Sequence, residues 1–376
     1  MPITVFRNFL SSEKSGGIIL IFATALSLFL ANVSFGSDYI GFWETKMGEM
    51  SLSSWINDGL MAIFFLLIGL ELKREIVVGE LSDLKKASLP IVGALGGMLV
   101  PAAIFLSLNF ATTSRNGAGI PMATDIAFAI GILSLLGNRV PTALKVFLTA
   151  LAVIDDLGAI LVIAVFYTKS IAILNLAISL GIFGLLLLLN RLKVKTLIPY
   201  LVGGVAMWWF MHHSGVHATI TGVLLAFAIP FGNGNELSIS HRLQHFLHKP
   251  VAFFILPIFA LCNTAVALDS GISESLATTA SLGILLGLCV GKPLGIFGFS
   301  FIGYKFGICR LPIAIKWKQL LGVGILGGIG FTMSIFIALL AYSDASLVGI
   351  SKMAILVASG VSAIFGLLFL KFTLEK

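Results

Sequence analysis

Charge is scarce in this chain. Of its 376 residues only 11% are Asp, Glu, Lys or Arg, less than half the share of an ordinary soluble domain, about 25%. Cysteine is scarcer still: Cys262, Cys289 and Cys309 are the only three, too few and too dispersed for a disulfide framework or a cysteine-based metal site. Long polar linkers and low-complexity tracts are missing, so no tethered soluble domain is expected. The net charge of +7 is spread over short loops and forms no single basic patch, which excludes a nucleic-acid partner. What fills the chain instead is apolar: 58% of residues are hydrophobic and the mean hydropathy is +1.06. A polytopic membrane protein is the class that composition allows.

Runs long enough to cross about 30 Å of hydrocarbon at about 1.5 Å per residue recur from end to end. About twelve fall near 15–33, 53–72, 88–108, 118–136, 144–167, 170–189, 198–211, 216–231, 250–268, 280–303, 319–341 and 348–370; the seventh and eighth are short. With the N-terminus inside, 19 of the 24 basic residues fall on that side and Lys46, Arg115, Lys169 and Lys352 on the other, while Lys292 falls inside a span. This bias orients both termini towards the cytoplasm. The first run is longer than the core of a signal peptide, and its removal spoils the even count, so it reads as a retained helix.

Against that background four charges stand out. Asp155 and Asp156 adjoin in "TALAVIDDLGAILVIAVF", Asp125 lies halfway along the fourth span and Lys292 near the middle of the tenth. An ionised Asp at the centre of a spanning helix costs about 2.5–3.5 kcal/mol, so the adjacent pair costs roughly twice that. The acids are therefore protonated, paired or in contact with water. A structural role, as neutral hydrogen-bonding groups, explains one buried Asp more easily than two that point about 100° apart on a helix. Lys292 reads as a counter-charge or a proton carrier. Asp58 sits nearer the outer end of the second span, within reach of the interface.

Two spans are interrupted by composition. "NGAGIPMATD" places Gly117, Gly119 and Pro121 just before Thr124 and Asp125, and "GVGILGGIGFTMSIFIALL" places Gly327, Gly328 and Gly330 just before Thr332. Residues 88–167 and 280–370 can then be read as inverted repeats forming a transport core within a single membrane domain of residues 1–376, the remaining helices serving as scaffold. Paired interrupted spans in corresponding positions point to a substrate site at the membrane midplane.

At this point "WINDGLMAIFFLLIGLELKRE", "ATDIAFAIGIL", "ALAVIDDLGAI", "SGVHATITG", "GKPLGI" and "GIGFTMSIFIA" resemble, in order and along nearly the whole chain, the signatures of the NhaA-type bacterial sodium/proton antiporters. The resemblance implies an all-α fold of about twelve transmembrane helices in the bacterial inner membrane, with inverted repeats and spans 4 and 11 unwound and crossing. It implies Na⁺ and H⁺ as cargo, Li⁺ as well, no cofactor, electrogenic exchange and activity rising at alkaline pH. By motif, Asp155 and Asp156 match the ion-binding and proton-exchanging pair, with Asp156 the direct sodium ligand. Asp125 and Lys292 match charges set against the helix crossing, the lysine also partnering the first Asp. Thr124 matches a polar neighbour and Asp58 a residue of the outer funnel. Glu71, Arg74, Glu75 and His217 fall on positions linked to the pH response, and Glu71, Glu75 and His217 read as a sensor at the cytoplasmic mouth.

Two departures accompany the match. Gln244 stands where the best-known members carry a glutamate. The stretch "FWETKMGEMSLSSWIND" is shorter than the loop that forms the family's β-hairpin dimer contact, which argues against that contact while a homodimer stays open; the bilayer is the expected partner. The sequence thus reads as a secondary transporter and not an enzyme. The rival classes are a passive cation channel, which calls for repeated acid rings or carbonyls, and an intramembrane aspartyl protease, whose two acids share one proton across facing helices.

Overall fold

Apolar runs without internal breaks become continuous helices, since backbone polar groups facing hydrocarbon must pair within their own segment. The computed structural model describes residues 13–168, 171–232, 238–267 and 272–374; Arg7, Lys169 and Lys376, counted in the charge bias, lie outside them. In chain order the helices are α1 (Glu13–Ala31), α2 (Gly36–Trp43), α3 (Met61–Val77), α4 (Leu84–Asn109), α5 (Ile126–Ser134), α6 (Thr142–Phe166), α7 (Ile173–Arg191), α8 (Ile198–His212) and α9 (Ile220–Ala228). They continue with α10 (Ile239–Pro250), α11 (Leu256–Asn263), α12 (Ile272–Leu276), α13 (Thr279–Leu286), α14 (Lys292–Lys305), α15 (Trp317–Gly327), α16 (Phe331–Ala341) and α17 (Ala345–Thr373). Short polar side chains start several of them: Asp83 accepts from Lys85 N–H at α4, Ser238 from His241 N–H at α10, Thr278 from Ser281 N–H at α13 and Asp344 from Ser346 N–H at α17, each satisfying an otherwise orphaned donor.

Among the described residues six helical segments are long and apolar enough to cross a membrane: Lys85–Asn109, Thr142–Phe166, Ile173–Arg191, Ile239–Asn263, Thr279–Lys305 and Ala345–Thr373. Two further pairs pass the same test only when joined. The 3₁₀ segment Thr113–Met122 meets α5 at a bend of 42°, and α15 meets α16 at 45°, which raises the total to eight. Both bends coincide with the Gly-rich interruptions read in the sequence. The sole sheet among the described residues is a two-stranded antiparallel ladder, β1 (Lys46–Met47) with β2 (Met50–Ser51). The shortened loop between the first two spans thus still forms a hairpin, reduced to two residues per strand.

The chain divides into two compact units. The first comprises residues 1–40, 83–159 and 260–376, the second 41–82 and 160–259. Within the first, α4 and α14 approach at Gly96 and Gly295, where a Cβ on either would overlap the other's carbonyl oxygen. Small residues permit this closeness between apolar helices. Within the second, α3 packs on α9, and a Cβ at Gly222 would run into the backbone of Ala62 and Leu66. The Ser179 hydroxyl of α7 there donates to the Met207 carbonyl of α8 at 3.0 Å.

Candidate functional site

The four charges that the sequence sets within apolar runs all belong to the first unit. Asp155 and Asp156 are successive residues of α6, and both are fully buried. Lys292 is the first residue of α14 and follows the π-helical turn Gly287–Gly291. Such turns shift the register of the side chains that follow. Its ammonium lies 2.9 Å from Asp155 Oδ2 with neither side chain exposed, and it also donates to the Met122 carbonyl, the last of the 3₁₀ segment. One ammonium therefore serves Asp155 and the carbonyl at the end of the 3₁₀ segment.

The bends supply the remaining contacts. The Thr124 hydroxyl lies 2.8 Å from Asp155 Oδ2 and 3.0 Å from the carbonyl of Gly327, the last residue of α15; its single hydrogen serves one acceptor at a time. Asp125 caps α5, its Oδ1 accepting from Phe128 N–H at 2.9 Å. Asp125 Oδ2 accepts from Thr332 N–H, near the start of α16, at 3.0 Å, and from the Thr332 hydroxyl. The Asp125 N–H in turn donates to the Ile329 carbonyl at 2.7 Å. One carboxylate thus faces two helix N-termini, the positive ends of their dipoles, and Lys292 faces a carbonyl end. Both bends leave backbone groups uncovered, and each group set against them carries the complementary charge.

Asp155 keeps one oxygen in reserve: among the described residues its buried Oδ1 accepts no hydrogen bond. The Thr124 hydroxyl against Oδ2 adds another oxygen beside it. Oxygen ligands suit hard cations, and the same lone pairs take protons. Among the described residues no group of three or more His, Cys, Asp or Glu is gathered to hold a metal ion.

The other predicted residues lie in the second unit. Asp58 sits in the π-helical stretch Trp55–Leu60; its Oδ2 is 3.6 Å from His212 Nδ1, and its carbonyl accepts from Trp208 Nε1–H at 3.0 Å. Glu71 pairs with His248 at 3.8 Å. Glu75 folds back on its own chain, where its Oε2 accepts from Glu80 N–H at 3.0 Å. Arg74 is exposed. His217 has a neighbour of its own. Its Nε2 is 3.1 Å from the Tyr167 carbonyl, just past the C-terminal end of α6, whereas Glu71 and Glu75 lie towards the C-terminal end of α3.

The family model described as Na⁺/H⁺ antiporter 1 matches residues 7–370. A protein of Flavobacterium psychrophilum named Na(+)/H(+) antiporter NhaA is 62% identical over 377 residues, covering 100% of this chain and 98% of that protein. Proteins of the same name from Cytophaga hutchinsonii and Dechloromonas aromatica are 60% and 57% identical, covering 99% and 98% of this chain and 96% and 95% of theirs. The chain belongs to this antiporter family.

Membership does not name every partner within the fold. Thr332 is marked in the sequence only as a residue after a glycine cluster, and its bonds to Asp125 span 207 positions. His212, beside Asp58, reads as an ordinary helix-end histidine. Lys73, between the pH candidates Glu71 and Arg74, reads only as a loop cation. Its ammonium donates to the carbonyls of Phe227 at 2.8 Å and Ile229 at 2.6 Å and lies 3.3 Å from that of Ala226, which ties α3 to the C-terminal end of α9. The one available signal is position: a cation within reach of a helix C-terminus.

Proposed function

We infer that this protein is a multi-pass inner-membrane antiporter that expels Na⁺, and Li⁺ by the same chemistry, in exchange for entering protons. The observation that carries the reading is the fully buried Asp155–Asp156 pair, one acid 2.9 Å from the Lys292 ammonium, with Thr124 able to donate to Asp155 or to Gly327. The names of the relatives support the same activity. Twelve spans, with both termini cytoplasmic and segments 88–167 and 280–370 as inverted repeats, are the architecture this reading adopts; residues 160–167 of the first repeat belong to the second compact unit. The bilayer is its required partner. A homodimer through the two-residue hairpin is not part of it.

The exchange follows from one site used by two ions. With the site open to an alkaline cytoplasm, both carboxylates are deprotonated and present oxygens to a hard cation. A cation approaching Asp155 and Asp156 competes with the Lys292 ammonium for the same oxygens, and the Thr124 hydrogen is free to turn to Gly327. With the site open to the acidic side, protons return to the carboxylates and the cation leaves. Coupling needs only that a loaded site change its exposure, through movement of helices around the bends. Two carboxylates that release more than one proton per sodium make the exchange electrogenic, and deprotonation makes it faster at alkaline pH.

The decisive experiment reconstitutes the purified protein in sealed liposomes with a proton gradient and equal sodium on both sides. Sodium moving uphill, with proton movement that stops when sodium is omitted, is the expected result. Sodium flow only down its own gradient would mark a channel. The aspartyl-protease reading is disfavoured, because Asp155 is ion-paired to a lysine.

A further inference from the structure

A second basic feature lies away from the ion site. At the end of α5 the chain turns through Gly137, whose φ of 65° is open to glycine and rarely to other residues. The turn delivers Arg139 beside the last turn of α17, which carries Lys371. Between them is a cavity of about 350 Å³ lined by Leu135, Leu136, Arg139, Leu367 and Lys371. Arg139 and Lys371 are exposed, and neither ion-pairs with a carboxylate among the described residues. In the sequence no Asp or Glu occurs from Ile126 to Ile154 or from Ala345 to Leu374, and Glu375, which follows, lies outside the described residues.

We propose that this cavity is a binding site for one anionic phospholipid, its phosphate held by Arg139 and Lys371 and its acyl chains lying along Leu135, Leu136 and Leu367. Charge complementarity favours that occupant. Arg presents a planar fork matched to phosphate oxygens and Lys a point charge, while the leucines, with Leu135 48% exposed, offer an apolar wall that a soluble anion has no use for. The volume suits a phosphate with its glycerol, since a water occupies about 30 Å³. Basic pockets between spanning helices on the cytoplasmic side hold anionic headgroups in this manner, and the charge bias puts both cations on that side. The bound lipid would bridge α5, which follows one bend, to α17.

The test counts retained lipid by native mass spectrometry on protein exchanged into phosphatidylcholine and titrated with phosphatidylglycerol. Wild type should hold its first phosphatidylglycerol in preference to phosphatidylcholine. Arg139→Gln with Lys371→Gln should lower that preference by about fivefold per charge, whereas Lys193→Gln with Lys195→Gln, also basic and cytoplasmic by the charge bias, should leave it intact. Both changes fall on exposed side chains, so unchanged antiport in pure phosphatidylcholine would verify folding of the double variant. Equal retention by the double variant, or equal loss in the control, would overturn the site. So would displacement of the lipid by millimolar inorganic phosphate, which would identify a soluble-anion site in its place.

Discussion

The charged groups of the first unit and those of the second follow different physics. In the first, Asp125, Asp155 and Lys292 are buried and held by contacts of 3.0 Å or less. In the second, Asp58 and His212 stand 3.6 Å apart and partly exposed, and Glu71 faces a His248 that is 69% exposed at 3.8 Å. Buried groups have no water to fall back on, so each must be matched by a partner or by a helix end. Exposed pairs trade a water contact for a protein contact and gain little, about 0–1 kcal/mol. The contrast separates groups that make the site from groups that at most adjust it, and mutation should expose it as a graded series.

The largest effect is expected at Asp156. Asp156→Asn keeps size and hydrogen-bonding capacity while removing the charge, so sodium-driven proton release from purified protein should vanish although the protein still folds. Retention of exchange at near-normal apparent sodium affinity would remove Asp156 from the ligand set. Asp155→Asn should also disable transport, but with its role divided between the cation and Lys292, residual sodium binding by calorimetry is compatible with the site.

Lys292 comes next, and here stability moves with function. Lys292→Ala leaves Asp155 and the Met122 carbonyl without their buried partner, a loss of about 3–5 kcal/mol when one member of a buried pair is removed. It should register as a lower melting temperature, partly recovered in the Lys292→Ala, Asp155→Asn double variant. Lys292→Arg separates charge balance from proton carriage. Arg stays protonated to about pH 12 and above, so an active arginine variant that still exchanges more than one proton per sodium would leave the carboxylates as the carriers. An inactive arginine variant with wild-type stability would make the lysine proton part of the cycle.

Thr332 tests the helix-end contacts that no charge announces. Thr332→Val removes the hydroxyl bond to Asp125 and leaves the backbone N–H in place, and hydrogen bonds to charged groups contribute about 1.5–3 kcal/mol. A stability loss at the lower end of that range is expected, with slower exchange because the bend is less firmly held. No change in either would mean that the helix N-termini alone satisfy Asp125.

These sites differ in how far they are legible in the sequence, and the reason is energetic. Asp125, Asp155, Asp156 and Lys292 are conspicuous because an ionised side chain in an apolar run is expensive, so its presence demands a cause on grounds of sequence alone. The bends are legible through Gly117, Gly119, Pro121, Gly327, Gly328 and Gly330. Who pairs with whom is not. Asp125 and Asp155 are equal partners for Lys292 by position along the chain; the resemblance points to Asp155, and the 2.9 Å contact in the fold selects it. Thr332, Lys73 and His212 carry no cost where they stand, so no energetic penalty marks them in the sequence. The span count shows the same limit: α8 is 15 residues and α9 is 9, lengths at which composition alone does not separate a crossing helix from a partial one.

The smallest effect is expected at Glu71 and His248, and it bears on how pH acts. If proton and sodium simply compete for the carboxylates of the first unit, the apparent sodium constant changes about tenfold per pH unit for each proton displaced, by mass action, and excess sodium restores the full rate. A separate sensor in the second unit would instead set the maximal rate. The geometry favours competition. The Glu71–His248 pair needs a protonated imidazole to attract at all, its histidine is mostly in solvent, Glu75 is engaged within its own loop, and His217 contacts the Tyr167 carbonyl. Gln244 contributes no titrating group. Glu71→Gln and His248→Gln should therefore change maximal exchange at saturating sodium by no more than about twofold, the scale of a surface pair, between about pH 6.5 and 8.5. A wild-type rate that stays near zero at the acid end whatever the sodium concentration, and that either substitution restores, would transfer control of pH to the second unit.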